Sequence, residues 1–260
     1  MTANDLFHAG RLADAVAAQT QAVKDDPSNH GKRLFLFELA VFSGDLDKAG
    51  RQIAAVRYDD PELQMATVQY ARLVEGERTR RRLFAEGVRP KLAGTPPEHL
   101  NKRLDALDLL RTGQSKEATG LLKEANAAVL PTARVNDGSP LEIRDADDLF
   151  GSVLEVIAGN DYIWLAMEQV ESIALNPPRF PRDLYWRPAR LEAGGTTADV
   201  FLPAIYPGSA GATDEAIKLG RQTEWIGDEE NAPVRGLGGR LWLVGEEPMA
   251  ITEWRTLTRG

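Results

Sequence analysis

Residues 10–27, GRLADAVAAQTQAVKDDP, and residues 44–61, GDLDKAGRQIAAVRYDDP, are one pattern written twice. Gly10-Arg11-Leu12 aligns with Gly44-Asp45-Leu46, Ala15 with Ala49, Ala22 with Val56 and Pro27 with Pro61, each at an offset of 34 residues. A fixed period of this length marks a repeat architecture, in which each unit is a pair of helices that cannot bury its apolar face alone. Glycine serves the tight turn between the helices, where φ has to be positive. The small alanines let neighbouring helices approach. Proline closes the second helix, because the residue before it is pushed out of the helical region.

Moving outward, a looser third copy has its turn at Thr112-Gly113-Gln114-Ser115 and its small contacts at Ala118 and Ala125. Between the copies, 63–86 reads as one long helix without the turn pattern. The spacing resembles the tetratricopeptide repeat. Stacked hairpins of that kind leave a concave groove lined by the first helix of each pair. The register predicts a lining of Phe7 and His8 from the first unit and Leu34, Glu38, Val41 and Phe42 from the second. An apolar groove of this shape accepts an amphipathic helix or peptide. Plain core between repeats is the competing reading of Leu34, Val41 and Phe42, since apolar residues at helical spacing commonly face a core.

Composition changes towards the end of this region. All five tryptophans (Trp164, Trp186, Trp225, Trp242, Trp254) and ten of the fifteen prolines lie beyond residue 130. The expected organisation is an α+β multidomain chain. Residues 1–130 form an α-α superhelix of TPR-like helical hairpins, and residues 131–260 form a strand-rich domain, a small barrel or sheet. Val153-Leu154-Glu155-Val156-Ile157, the Gly159-Asn160-Asp161 turn and Tyr162-Ile163-Trp164-Leu165 read as a hairpin, with a helix over 146–158 as the alternative. A short helix is expected over 167–175, and strands over 199–202, 240–244 and 253–257.

Charge narrows the choice of partners. The net charge is −8, and residues 131–260 hold 12 basic against 21 acidic side chains. That acidity argues against nucleic acid as a partner. No stretch of eighteen residues lacks charge, so no membrane span is expected. The first ten residues do not read as an export signal, which makes the cytoplasm the expected compartment. With no cysteine, disulfides and thiolate metal sites are excluded. Arg78, Arg80, Arg81 and Arg82 form a basic cluster, expected as a solvated or acid-paired surface, or as a docking site for the acidic half or for an acidic partner.

Signs of catalysis are few. His8, His30 and His99 lack ligand spacing, so no metal is expected from them. Gly236-Leu237-Gly238-Gly239 lacks the context of a phosphate loop, and Asp145, Asp147 and Asp148 read as a solvated loop. The pair Glu155 and Glu168 has no arrangement that would make it an acid–base couple.

Four ordered strings remain: 182–189 (RDLYWRPA), 202–209 (LPAIYPGS), 219–225 (LGRQTEW) and 235–240 (RGLGGR). Together with 37–45 (FELAVFSGD) they resemble the ImpE family, also called TagJ or SciE, an accessory component of bacterial type VI secretion. The resemblance covers nearly the whole chain. Ala40, Val41 and Ala166 depart from its pattern. It implies a cytoplasmic, non-enzymatic adaptor without cofactor or catalytic residue. Relatives associate with the small subunit of the contractile sheath through that subunit's N-terminal helix, and are thereby linked to the ATPase that recycles contracted sheath. Within the strings, Trp186, Tyr206 and Trp225 are expected as packing, and an exposed one would be a contact candidate. Asp183, Arg221 and Arg240 are expected to form a buried ion-pair network. A general TPR-like scaffold for other regulators, or an enzyme in the second half, are the competing functions.

Overall fold

The helical repeat turns on left-handed glycines. In a computed structural model that describes residues 1–228 and 230–260, Gly10, Gly44 and Gly113 have φ of 79°, 82° and 80°. They join α1 (Ala3–His8) to α2 (Leu12–Asp25), α3 (His30–Phe42) to α4 (Leu46–Ala54) and, beyond the long α5 (Pro61–Glu86), α6 (Glu98–Arg111) to α7 (Ser115–Ala128). At each turn the residue after glycine donates its N–H five residues back: Arg11 to Leu6, Asp45 to Ala40, Gln114 to Leu109. This is how a helix closes on a left-handed residue. Ala15, Ala49 and Ala118 are fully buried, as close helix approach requires.

The two Asp-Asp-Pro strings do different jobs. In the first copy α2 ends at Asp25, directly before Asp26-Pro27. In the second, α4 already stops at Ala54, and Pro61 opens α5 instead of closing α4. The Asp60 carboxylate accepts from the N–H groups of Glu62 (2.8 Å) and Leu63 (3.1 Å). Proline is tolerated at a first helical position, where its missing N–H would be unpaired anyway.

The strands are β1 (Lys91–Leu92), β2 (Thr132–Val135), β3 (Leu141–Asp145), β4 (Val153–Ala158), β5 (Asp161–Ala166), β6 (Val170–Leu175), β7 (Trp186–Ala193) and β8 (Thr196–Pro203). After α8 (Glu215–Lys218) follow β9 (Thr223–Ile226), β10 (Arg235–Gly238), β11 (Leu241–Val244), β12 (Glu247–Ala250) and β13 (Thr256–Arg259). Eleven of them make one sheet in the order β1-β5-β4-β8-β7-β6-β13-β2-β3-β11-β12, while β9 and β10 form a separate ribbon. The fold is α+β. β4 and β5 pair as the expected hairpin, from Val153↔Ala166 to Ala158↔Asp161. The expected helix over 167–175 is instead a single 3-10 turn (Met167–Gln169) followed by β6, whose Val170, Ile173 and Leu175 are buried between β7 and β13. Backbone pairing on both sides overrides local helical preference there. The last strand begins only at Thr256, because Ile251–Glu253 is a 3-10 turn.

Two apolar clusters result. The inner one joins Val156, Leu165, Leu191, Val200, Leu202 and Leu257 with Trp242 and Trp254, whose rings lie 5.1 Å apart, so the sheet curls over its own core. The other holds Phe37, Leu73, Leu83 and Leu104 from the helices together with Ile157, Trp164, Trp186 and Tyr206 from the strand-rich half. Helix α5 packs on β4 and β5. Gly76 makes this approach possible, since a Cβ there would come within 2.5 Å of Ile157 Cγ2. Gly76→Ala therefore should destabilise the protein by about 1–3 kcal/mol through overpacking, even though alanine is the better helix former. Denaturant unfolding checks this; a stabilised variant would show that the contact is loose.

Candidate partner-binding surface

The strand-rich half meets α5 through buried charges. Arg80 donates through Nε to Glu155 Oε1 (2.7 Å) and through Nη2 to Glu155 Oε2 and the Ile205 carbonyl (both 2.9 Å). Arg240 reaches the same Glu155 carboxylate from the other side, and its Nη1 lies 3.1 Å from Asp145 Oδ2. Tyr162 donates to Glu155 in turn. One turn before Arg80, Glu77 accepts from the Tyr185 hydroxyl (3.1 Å) and Trp186 Nε1 (3.3 Å). Burial pushes the Glu155 carboxyl up, but the guanidiniums of Arg240 and Arg80 outweigh it and hold it at about 2. For Asp145, burial pushes up, Arg240 offsets part of this and Asp147 adds to it, leaving the carboxyl at about 7.

These contacts revise several expectations. Asp145 and Asp147 are fully buried, not solvated. The Asp147 carboxylate accepts from Arg235 Nε (2.8 Å) and from the N–H of Leu149 and Gly236 (both 2.9 Å). The arginine cluster divides: Arg80 is buried in the junction, Arg78 bonds Asp47 and Glu75, and Arg82 bonds Glu86 on the surface. Asp183, Arg221 and Arg240 do not form one network. Asp183 accepts from the N–H of Arg179 and Phe180, and Arg221 donates to the carbonyls of Phe7 (2.7 Å) and His8 (3.0 Å). Trp186 and Tyr206 are buried, whereas Trp225 is 39% and Ile226 48% exposed on the β9 ribbon.

The expected trough is filled by the protein itself. Phe7, Glu38, Val41 and Phe42 are all buried, Leu34 is half-buried against the core, and only His8 is exposed. Phe42 packs edge-on against Tyr185 (5.4 Å) and at a tilt against Phe7 (5.7 Å). Glu38 is paired with Arg182, whose guanidinium covers Tyr70. Glu215 seals the end, accepting from the N–H of Leu12 (2.9 Å) and Ala13 (2.7 Å) at the start of α2. Periodicity reported correctly that these positions face inward; it carried no information on which element would cover them.

One constellation escaped the sequence reading. His99 Nε2 lies 2.8 Å from Glu168 Oε1, and its Nδ1 lies 3.5 Å from Ser152 Oγ. Ser152 is buried and accepts from Arg103 Nη2 (3.2 Å), which also reaches the Ala125 carbonyl (3.4 Å), so the group ties α6 and α7 to the strands. Among the described residues no cluster of three or more His, Asp or Glu side chains is arranged to hold a metal. No described helix is long and apolar enough to cross a membrane.

An open surface lies elsewhere on the helices. Between α4 and α5 runs a groove of about 630 Å³ with a floor of Gly50, Ala54, Val68 and Ala71. Charged residues rim it: Asp47 and Arg51 on α4, and Arg72, Glu75 and Arg78 on α5. Met65, three residues before Val68 on α5, is 70% exposed. A cleft of about 480 Å³ opens at the sheet between Ile163, Leu165, Leu191 and Val200.

The ImpE protein family model matches residues 138–258. The type VI secretion system accessory component TagJ of Pseudomonas aeruginosa is 34% identical over 259 residues, covering 99% of this chain and 90% of that protein. A crystal structure of a Vibrio parahaemolyticus protein superimposes with a TM-score of 0.89 at 22% identity, over 99% of this chain and 97% of that one, and so shares the fold.

Two outcomes follow from the junction. Glu155→Gln removes the charge that Arg80 and Arg240 share, leaving them with Glu77 and Asp145 alone, and should cost about 3–5 kcal/mol in denaturant unfolding. The pH dependence has two limbs. Glu155, held below its unfolded value, contributes stability above about pH 4.5 that is lost as pH falls towards 2. Asp145, raised above its unfolded value, contributes stability below about pH 4 that is lost as pH rises through 7. Asp145→Asn should flatten the decline between about pH 4 and 7, measured by unfolding at stepped pH; an unchanged slope would assign it to another group.

Proposed function

The chain belongs to the ImpE family, and from that premise we propose that it is a non-enzymatic cytoplasmic adaptor of bacterial type VI secretion. It binds the N-terminal helix of the small contractile-sheath subunit and so links that subunit to the ATPase that recycles contracted sheath. The observation that carries this reading is the 34% identity, over 99% of the chain, to a type VI secretion accessory component. In this reading residues 1–130 act as a TPR-like superhelix that presents helix-binding surface, and residues 131–260 brace it.

The geometry supports a binding role. The carboxylates and arginines at the junction are spent on one another, on tyrosine hydroxyls and on backbone groups. What the helices leave open is apolar and flanked by charge, which suits an amphipathic helix. The trough residues Phe7, Glu38, Val41 and Phe42 take no part in contact here. Phe42→Glu would place a charge in the core and unfold the protein instead of testing binding.

The test is capture of the small sheath subunit by the full chain. The intact subunit should be retained, and the subunit lacking its N-terminal helix should not. Failure to retain any sheath component would overturn the adaptor reading. Equal retention of unrelated helical proteins from cells without the secretion genes would favour a general scaffold.

A further inference from the structure

We propose that the groove between α4 and α5 is the seat of the partner helix, and that this helix carries carboxylates on both flanks of its apolar face. The inference rests on the adaptor reading and adds the place and the chemistry of recognition.

Shape comes first. Asp47, Gly50, Arg51 and Ala54 on α4 and Val68, Ala71, Arg72 and Glu75 on α5 follow the same spacing of i, i+3, i+4 and i+7. Each helix thus turns one stripe towards the groove. The floor side chains are small, so a third helix can approach closely. Val68 is 43% exposed and Met65 70%.

Charge then selects the occupant. Arg78 is committed: its Nη2 donates to Asp47 Oδ1 (2.6 Å) and the Leu46 carbonyl (3.2 Å), and its Nη1 to Glu75 Oε1 (2.9 Å). The one guanidinium is thus shared by both rim carboxylates, so that with Arg51 and Arg72 the rim holds three positive charges against two negative. Arg51 and Arg72 are exposed, one on each wall, and among the described residues neither has a hydrogen bond or ion pair with another side chain. The field of Arg51 reaches Asp45, but that carboxylate already bonds Lys48. A helix lying in the groove therefore meets an unanswered guanidinium on either side. Carboxylates on its flanks would be held, and a basic helix would be repelled.

The experiment uses the full chain and a fluorescent peptide of the small sheath subunit's N-terminal helix, with anisotropy read at low and high salt. Arg51→Glu/Arg72→Glu, two exposed changes checked by thermal melt, should weaken binding about tenfold or more, and salt should weaken the wild-type complex. A peptide with its flanking carboxylates replaced by lysine should bind the reversed variant and not the wild type, a rescue that damage to the fold cannot produce. Val68→Glu should abolish binding to both. If the wild type binds and both variants bind equally well, the groove is the wrong site while the adaptor reading stands. If the wild type binds neither peptide nor intact subunit, the adaptor reading falls and takes this inference with it. A dimer that Val68→Glu converts to monomer in sedimentation would make the groove a self-interface and overturn the proposal.

Discussion

Glu155 lies in the middle of β4 with a guanidinium on either side, and the rest of the molecule is arranged around that carboxylate. Arg80 arrives from α5 and Arg240 from the residue that leads into β11. All three side chains are fully buried, so none can turn to water for relief. Buried ion pairs of this kind do more to define one arrangement than to raise stability, because removing charges from water costs nearly what the pairing returns. Here the arrangement so defined is the seating of a long helix on a curled sheet. Glu77, clamped by Tyr185 and Trp186 one turn earlier, fixes the rotation of the same helix about its axis.

A rigid seam of this sort has a consequence for recognition. The inner faces of the amino-terminal helices are consumed in holding the strand-rich half, through Phe42 on Tyr185, Glu38 on Arg182 and the Phe7 carbonyl on Arg221. The concave side usually available in stacked helical hairpins is therefore internal. The surface proposed for a partner lies on another face of the helices, between α4 and α5.

How far the sequence reveals this depends on the range of each interaction. The glycine turns were legible because the left-handed backbone is a local demand: Gly10, Gly44 and Gly113 answer it identically. The β4–β5 hairpin was legible for the same reason, its turn and its β-branched arms being adjacent. Segment 170–175 was not, since the neighbours that make it a strand are distant β7 and β13. Asp145 and Asp147 looked like a hydrated loop because their partners, Arg240 and Arg235, come some ninety residues later. The motif strings identified the family before any of them explained itself. Only the folded chain shows Tyr185 and Trp186 meeting Glu77 and shows Arg240 meeting Glu155.

The cap supplied by Glu215 bears on how the chain comes to be ordered at all. Helix α2 has no side chain of its own to satisfy its first N–H groups, and the carboxylate that does so lies 203 residues downstream of Leu12. During synthesis, then, the first N–H groups of α2 emerge well before the carboxylate that caps them, whereas Phe7 meets Phe35 and Phe42 within the same stretch of helices. The chain thus closes on itself: its opening helices are capped and gripped by residues of the carboxyl-terminal half, and an unfolding of that half would leave them uncapped.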